Sequence, residues 1–114
     1  MFEKNLNIGY LLDFYGELLT DRKREVLDYY YNDDLSLSEI AEEIGISRQG
    51  VRDIIKKAEE ELLFFEKKLH LAGRFSDAEK QIRRIEELVR RKAPDAFGEV
   101  KAELDALAEK LKSF

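Results

Sequence analysis

Cysteine is absent from the 114 residues. That excludes disulfides, thiolate metal ligands and a cysteine nucleophile, and a cytoplasmic home is the simplest expectation. Histidine occurs once, at His70, so no multi-histidine metal site or histidine triad can form, and a packed or surface role is expected for it. A single proline and six glycines leave room for long uninterrupted helices. No apolar run approaches the roughly 18 residues of a membrane span, so no membrane insertion is expected. The N-terminus MFEKNLNIGYLL has one lysine, an early acid and no cleavage-like end, unlike a secretory signal. With 44% hydrophobic and 39% charged residues, the chain can bury a core beneath a charged, helix-rich surface.

What is present is densest in residues 36–57, SLSEIAEEIGISRQGVRDIIKK. Ser36 followed by Glu39 spells a capping box, in which each side chain satisfies a backbone donor of the first turn. Leu37, Ile40, Ala41 and Ile44 then recur at helical spacing, and Gly45 suits a left-handed stop. Ser47 can cap the next helix, whose inward stripe is Val51, Ile55, Ala58 and Leu62. Two short helices around such a turn make a helix-turn-helix, whose second helix can enter a DNA major groove. Ser47, Arg48, Gln49 and Arg52 are expected to face outward. Arg can read guanine and Gln adenine through two hydrogen bonds each, while Arg52, Lys56 and Lys57 suit phosphates. Asp53 is discordant there and would repel phosphate unless it faces Arg52, Lys56 or a cytosine amino group.

The rest of the chain also reads as helix. Ile8, Leu11, Leu12, Tyr15, Leu18 and Leu19 define one face over residues 6–19. Thr20 can cap a second helix of about 21–31, with Val26, Leu27, Tyr30 and Tyr31 packing inward. Tyr29–Tyr31 end that helix and read as packing aromatics rather than a base-stacking platform. Asn32-Asp33-Asp34 reads as a turn. The fourth helix should run from Ser47 to about Leu71, with Gly73 as terminator. Ser76 and Glu79 spell a second capping box for a helix of about 77–92, carrying Ile82, Ile85, Leu88 and Val89. Ala93-Pro94 breaks it, and Phe97, Val100, Leu104, Leu107, Ala108 and Leu111 line a last helix of about 95–112. Arg83, Arg84, Glu86 and Glu87 read as solubilising pairs.

The expected architecture is therefore all-α: a helix-turn-helix domain over 1–73 and a helical hairpin over 74–114, packed on the long fourth helix or on a second subunit. Phe64, Phe65, Ile82, Ile85, Leu104 and Leu107 are the candidate self-association residues of a homodimer. Formal net charge is −5. Residues 47–57, with four cations (Arg48, Arg52, Lys56, Lys57) and one acid, are nevertheless locally positive. A small basic patch on an acidic body suits weak or partner-assisted nucleic-acid binding. No catalytic constellation, metal site or cofactor motif emerges, and the chain reads as a non-enzyme.

LSEIAEEIGISRQGVRDIIKKAEEEL resembles the region-4 helix-turn-helix of bacterial sigma factors, and LLTDRKREVLDYYYNDD resembles that domain's leading helix. With LLDFYGELLT and the helical tail, the chain is similar over nearly its whole length to the YlxM family. These are small sigma-region-4-like proteins of Gram-positive bacteria whose genes typically neighbour those of the signal-recognition-particle GTPases. The resemblance implies a regulatory role in the signal recognition particle (SRP) pathway, with DNA or the particle's RNA as ligand and the SRP GTPase as partner. The alternative is a helical dimer or adaptor that contacts the SRP GTPase machinery without binding nucleic acid. The parts of a sigma factor that bind core polymerase and melt promoters have no room here, so the chain is not expected to initiate transcription alone.

Overall fold

Three of the four helix starts whose caps are spelled by a nearby polar residue form where the spacing places them. In a computed structural model, which describes residues 6–112, these are α2 (Asp21–Leu27), α3 (Leu37–Ile44) and α4 (Arg48–Leu69). The caps are Thr20, Ser36 and Ser47, each accepting from an amide three residues on. α1 (Leu6–Tyr15) precedes them; α5 (Leu71–Lys92) and α6 (Phe97–Lys112) follow. Among the described residues there is no strand, and the fold is all-α. The N-terminal segment compared above with a secretory signal begins in residues 1–5, outside the described residues.

Two compact units divide the chain, one through Ala72 and one from Gly73 onward. In the first, α1, α2 and α3 each pack on α4. Ile8, Leu11, Leu12, Tyr15 and Leu19 meet Val26, Leu27, Tyr30, Ile40 and the α4 stripe Val51, Ile55, Ala58 and Leu62, which is wholly shielded from solvent. Burying each such side chain contributes roughly 1.5–3 kcal/mol, offset by the conformational entropy of ordering it.

Three departures from regular α spacing reset the inward faces. Gly16–Leu18 is a 3-10 turn. It advances three residues per turn instead of 3.6, so Leu18, expected inside, is 58% exposed while Leu19 is buried. Asp28–Asn32 widens into a π-helical turn, which buries Tyr30 and leaves Tyr29 and Tyr31 at the core's edge. Asp34 then takes a left-handed backbone (φ 56°), closing the turn expected at Asn32-Asp33-Asp34.

The third departure corrects the sequence reading. Gly73 does not terminate α4, which stops short of Leu71; the helix ends at Leu69, where His70 adopts φ 57° and its amide donates to the Glu66 carbonyl. α5 starts at once, at Leu71, with Gly73 and Ser76 inside it. The Ser76/Glu79 box therefore opens no helix. Instead the Leu71 amide donates to the Tyr15 hydroxyl (3.0 Å) and the Ala72 amide to Glu66 Oε1 (3.1 Å). The Tyr15 hydroxyl in turn donates to Glu66 Oε1. Two orphan donors of a helix start are thus satisfied from α1 and α4. Burial, the Glu66 hydrogen bond and the nearby carboxylate charge raise the Tyr15 hydroxyl above its ordinary pKa of 10.0.

In the second unit, a 3-10 turn at Pro94–Ala96, with the proline in the first turn, leads into α6. Arg90 lies over the Phe97 ring (4.8 Å), Lys101 reaches Glu86 (3.8 Å) and Lys112 approaches the Phe75 ring (6.0 Å). Those pairs run in opposite senses along the chain, so α5 and α6 form an antiparallel hairpin. Phe75, Ile82 and Leu104 are its buried hydrophobics, with Glu86 buried beside them. Leu88 and Leu107, assigned by periodicity to apolar faces, are both 47% exposed, because a two-helix hairpin can enclose only the narrow strip between its members.

Candidate nucleic-acid interface

The site is built by α3, its left-handed exit and the first three turns of α4. The Glu39 amide donates to Ser36 Oγ (3.1 Å) and the Ser36 amide to Glu39 Oε1 (3.0 Å). Hydrogen bonds from the Ser36 backbone and side chain hold the Glu39 carboxyl below its ordinary value of 4.5. α3 stops at Gly45, whose φ of 74° suits a residue without a side chain. The amides of Gly45 and Ile46 both donate to the Ala41 carbonyl, closing the turn between the two helices. Ser47 Oγ then accepts from the Gly50 amide (3.0 Å). The approach at Gly50 is tight: a Cβ there would lie 3.2 Å from Ser47 Oγ and 3.3 Å from Ile46 Cδ1, so those side chains would have to give slightly.

With Val51, Ile55 and Ala58 fully buried on one side, helical geometry turns the other side of α4 to solvent. Ser47, Arg48, Gln49, Arg52, Lys56 and Lys57 are all exposed there. Among the described residues, Arg48, Lys56 and Lys57 take part in no ion pair. Arg48 sits one residue past the cap, at the end of the helix that enters a groove in this motif. Ser47 uses its oxygen as the cap but keeps its hydroxyl proton for an acceptor such as a phosphate.

Gln49 Nε2 donates to Asp53 Oδ1 (3.0 Å), so the discordant acid faces an amide on its own helix. To hold adenine through two hydrogen bonds, Gln49 must first release Asp53. Among the described residues, no hydrogen bond or ion pair engages the Arg48 side chain.

The acid run Glu59-Glu60-Glu61 contains two inward-acting residues that its composition did not reveal. Tyr31 donates to Glu59 Oε2, and Lys23 Nζ lies 2.6 Å from Glu61 Oε1. With Tyr15–Glu66 they make three polar ties between α4 and the helices behind it. The signal available in sequence was the spacing: Glu59 and Glu66 are seven apart and flank the buried stripe. An open depression is lined by Asp21, Arg24, Glu25, Asp28, Tyr29 and Asp33. Burial and the charges of Glu25, Glu43 and Asp33 push the Tyr29 hydroxyl up, and such a surface repels phosphate.

The expected self-association residues are spread over different environments. Phe64 is 55% exposed, beside an exposed Leu63, with Lys68 Nζ 5.7 Å from its ring. Phe65 packs against the core, its ring 6.0 Å from that of Tyr15. Ile82 and Leu104 are buried, Ile85 is half-buried and Leu107 is exposed. Among the described residues no group of three or more His, Asp or Glu is placed to hold a metal ion. No described helix is long and apolar enough to cross a membrane.

Comparison with known proteins matches residues 2–100 to the family described as "Putative helix-turn-helix protein, YlxM / p13 like", UPF0122. A UPF0122 protein of Halalkalibacterium halodurans is 41% identical over 111 residues, covering 97% of this chain and 96% of the relative. One from Caldanaerobacter subterraneus subsp. tengcongensis is 49% identical over 79 residues, 69% of this chain and 68% of its own length. One from Bacillus cereus (strain AH187) is 44% identical over 89 residues, 78% and 81% of the two chains. A model match over most of the sequence, on a fold whose α3–turn–α4 has the helix-turn-helix geometry, places this chain in the UPF0122 family of YlxM/p13-like helix-turn-helix proteins.

Proposed function

We propose that the protein is a nucleic-acid-binding regulator that presents the start of α4 to a duplex. The observation that carries this reading is Arg48: exposed, outside every ion pair described, and one residue past the cap of a helix whose opposite side is wholly buried. Arg48 is the base reader, Gln49 joins it after leaving Asp53, and Ser47, Arg52, Lys56 and Lys57 hold phosphates. The resemblance to YlxM proteins extends the reading to the SRP pathway in the cytoplasm, with the particle's RNA as a second nucleic-acid ligand and its GTPase as a protein partner. Titration of labelled duplex DNA and SRP RNA, with Arg48→Ala and Arg52→Ala in parallel, tests it. Removing the base-reading side chain at Arg48 should cost about 1–3 kcal/mol and relax sequence preference. Binding by both variants equal to the parent's would overturn the reading, and capture of the GTPase alone would favour the adaptor role.

A second reading, homodimerisation, is favoured by the outer side of α4. Glu60, Leu63, Phe64 and Lys67 follow at three- and four-residue steps and are all exposed. In an antiparallel pair of α4 helices, a two-fold axis between Leu63 and Phe64 sets Glu60 opposite Lys67 of the second copy, the self-complementarity an isologous interface needs. Light scattering at tens of micromolar checks this: Phe64→Glu should shift a dimeric mass to a monomeric one, and a monomeric parent ends the idea.

A further inference from the structure

The largest local excess of positive charge in this acidic protein lies outside the helix-turn-helix. Residues 80–92 hold six cations and two carboxylates, an excess of four, against an excess of three over residues 47–57. Lys80, Arg84 and Arg91 are spaced so that 100° per residue keeps them on one stripe of α5, with Arg83 and Arg90 along its flank. All five are exposed; Arg83, Arg90 and Arg91 keep 56%, 61% and 62% of their side-chain surface in solvent. The opposite side of α5 carries the buried Phe75, Ile82 and Glu86.

The two acids within residues 80–92 do not neutralise the stripe. Glu86 turns inward, held by Arg83 (3.0 Å) and Lys101 of α6 (3.8 Å). Glu87 is shared at long range between Arg90 (3.8 Å) and Arg91 (3.7 Å). Arg84 bonds the neutral Gln81. Nor does the helix dipole account for the placement. It favours cations in the last turn, where Arg90, Arg91 and Lys92 sit, but its effect fades before Arg84 and Lys80.

We propose that this side of α5 is a second phosphate-binding surface, gripping the backbone of a nucleic-acid duplex without reading its sequence. It shares only the ligand's class with the reading above and uses different residues in the other unit. Four of its five cations are arginines, whose planar forks match phosphate oxygens. Lys80 to Arg91 spans about 16 Å of helix. A duplex carries a charge about every 1.7 Å of its axis, so the stripe meets several phosphates on any sequence. An anionic membrane surface fits less well, because a surface-lying helix inserts an apolar face. The apolar face of α5 is buried in its hairpin, leaving Leu88 on the outer side.

The test uses the full chain with Lys80, Arg84 and Arg91 all changed to Gln, and Arg48→Ala in parallel. The probes are a 30-base-pair DNA duplex of arbitrary sequence, an RNA duplex of equal length and phosphatidylglycerol vesicles, over a range of salt. Every phosphate that a variant no longer neutralises lowers the slope of log affinity against log salt by about 0.9. The triple variant should therefore fall by about two to three in slope and about tenfold or more in affinity, with an unchanged circular-dichroism spectrum. Glu87→Gln should act oppositely, tightening duplex binding about two- to threefold. Tighter binding of one duplex names the backbone preferred. A triple variant with the parent's slope, or a parent that prefers vesicles to duplexes, overturns the proposal. If Arg48→Ala alone abolishes sequence preference, base reading stands without the stripe; if only the triple variant changes binding, the stripe stands without base reading. A parent that binds neither duplex at about 50 mM salt removes both.

Discussion

The unit through Ala72 and the unit from Gly73 onward use the same material, amphipathic helices, but enclose it very differently. In the first, three helices converge on α4 and shield its stripe from solvent entirely. In the second, two helices face each other and hide Phe75, Ile82, Leu104 and the charged Glu86. The difference is one of number: a helix with neighbours on several sides buries a wide face, whereas a hairpin buries a strip. The first unit can therefore hold the exposed start of α4 rigidly, and the second is better suited to displaying charge than to fixing atoms in place.

The sharpest way to break this contrast is a cavity in each unit. Leu62→Ala removes a wholly buried side chain and should cost about 2–5 kcal/mol. Ile82→Ala, in a strip that can collapse, should fall at or below the lower end of that range. Denaturant midpoints, together with amide exchange that separates α4 from α5, check the order. Equal costs, or better protection in α5, would refute the ranking.

Next in size is Tyr15→Phe. It deletes the acceptor for Leu71 and the donor to Glu66, and should cost about 1–2 kcal/mol, with early exchange of the Leu71 and Ala72 amides. The same hydroxyl sets an alkaline limit. Its folded pKa is raised above 10.0, so its contribution is fully present below pH 10 and is lost as pH climbs through the raised value. Stability measured from pH 9 to 12 should fall less steeply in Tyr15→Phe than in the parent.

His70→Gly should move stability the other way. A non-glycine residue pays roughly 1–2 kcal/mol in the left-handed region, part of which returns to the more flexible unfolded chain. A net gain of about 0.5–1 kcal/mol, read from the thermal midpoint, is expected; a loss would mean that the imidazole holds the turn by interactions of its own. The smallest effect is at Glu39, whose carboxyl is held below 4.5. Its capping contribution is present above that value and fades as pH drops through the lowered one, and a carboxyl titration by NMR should show it.

The parts of this fold legible in sequence are those decided within four residues. Thr20, Ser36 and Ser47 as caps, and Gly45 as the left-handed stop, follow from interactions three or four residues apart, and the outward face of α4 follows from its buried stripe. The end of α4 was illegible because its determinants are distant. Tyr15 is 56 residues from Leu71, and nothing near Ser76 and Glu79 reveals that their box lies inside a helix. Leu18 and Leu107 were misplaced because periodicity knows neither a 3-10 turn nor how many neighbours a helix will have. In the candidate site, the Gln49–Asp53 pair sits at a readable four-residue spacing, although the partners considered for the acid were Arg52, Lys56 or a cytosine amino group. On α5, the arginines and glutamates read as mutual partners although a count over residues 80–92 already gives an excess of four cations; the structure adds that Glu86 is buried.

The hydroxyl of Tyr15 has an optical consequence. The chain has no tryptophan and five tyrosines, so its ultraviolet emission is tyrosine's own. A phenol bonded to a carboxylate emits weakly, because the excited ring readily gives up its proton to such an acceptor. Release of the turn at His70 should therefore brighten Tyr15, giving the protein a label-free light signal for the passage from α4 to α5.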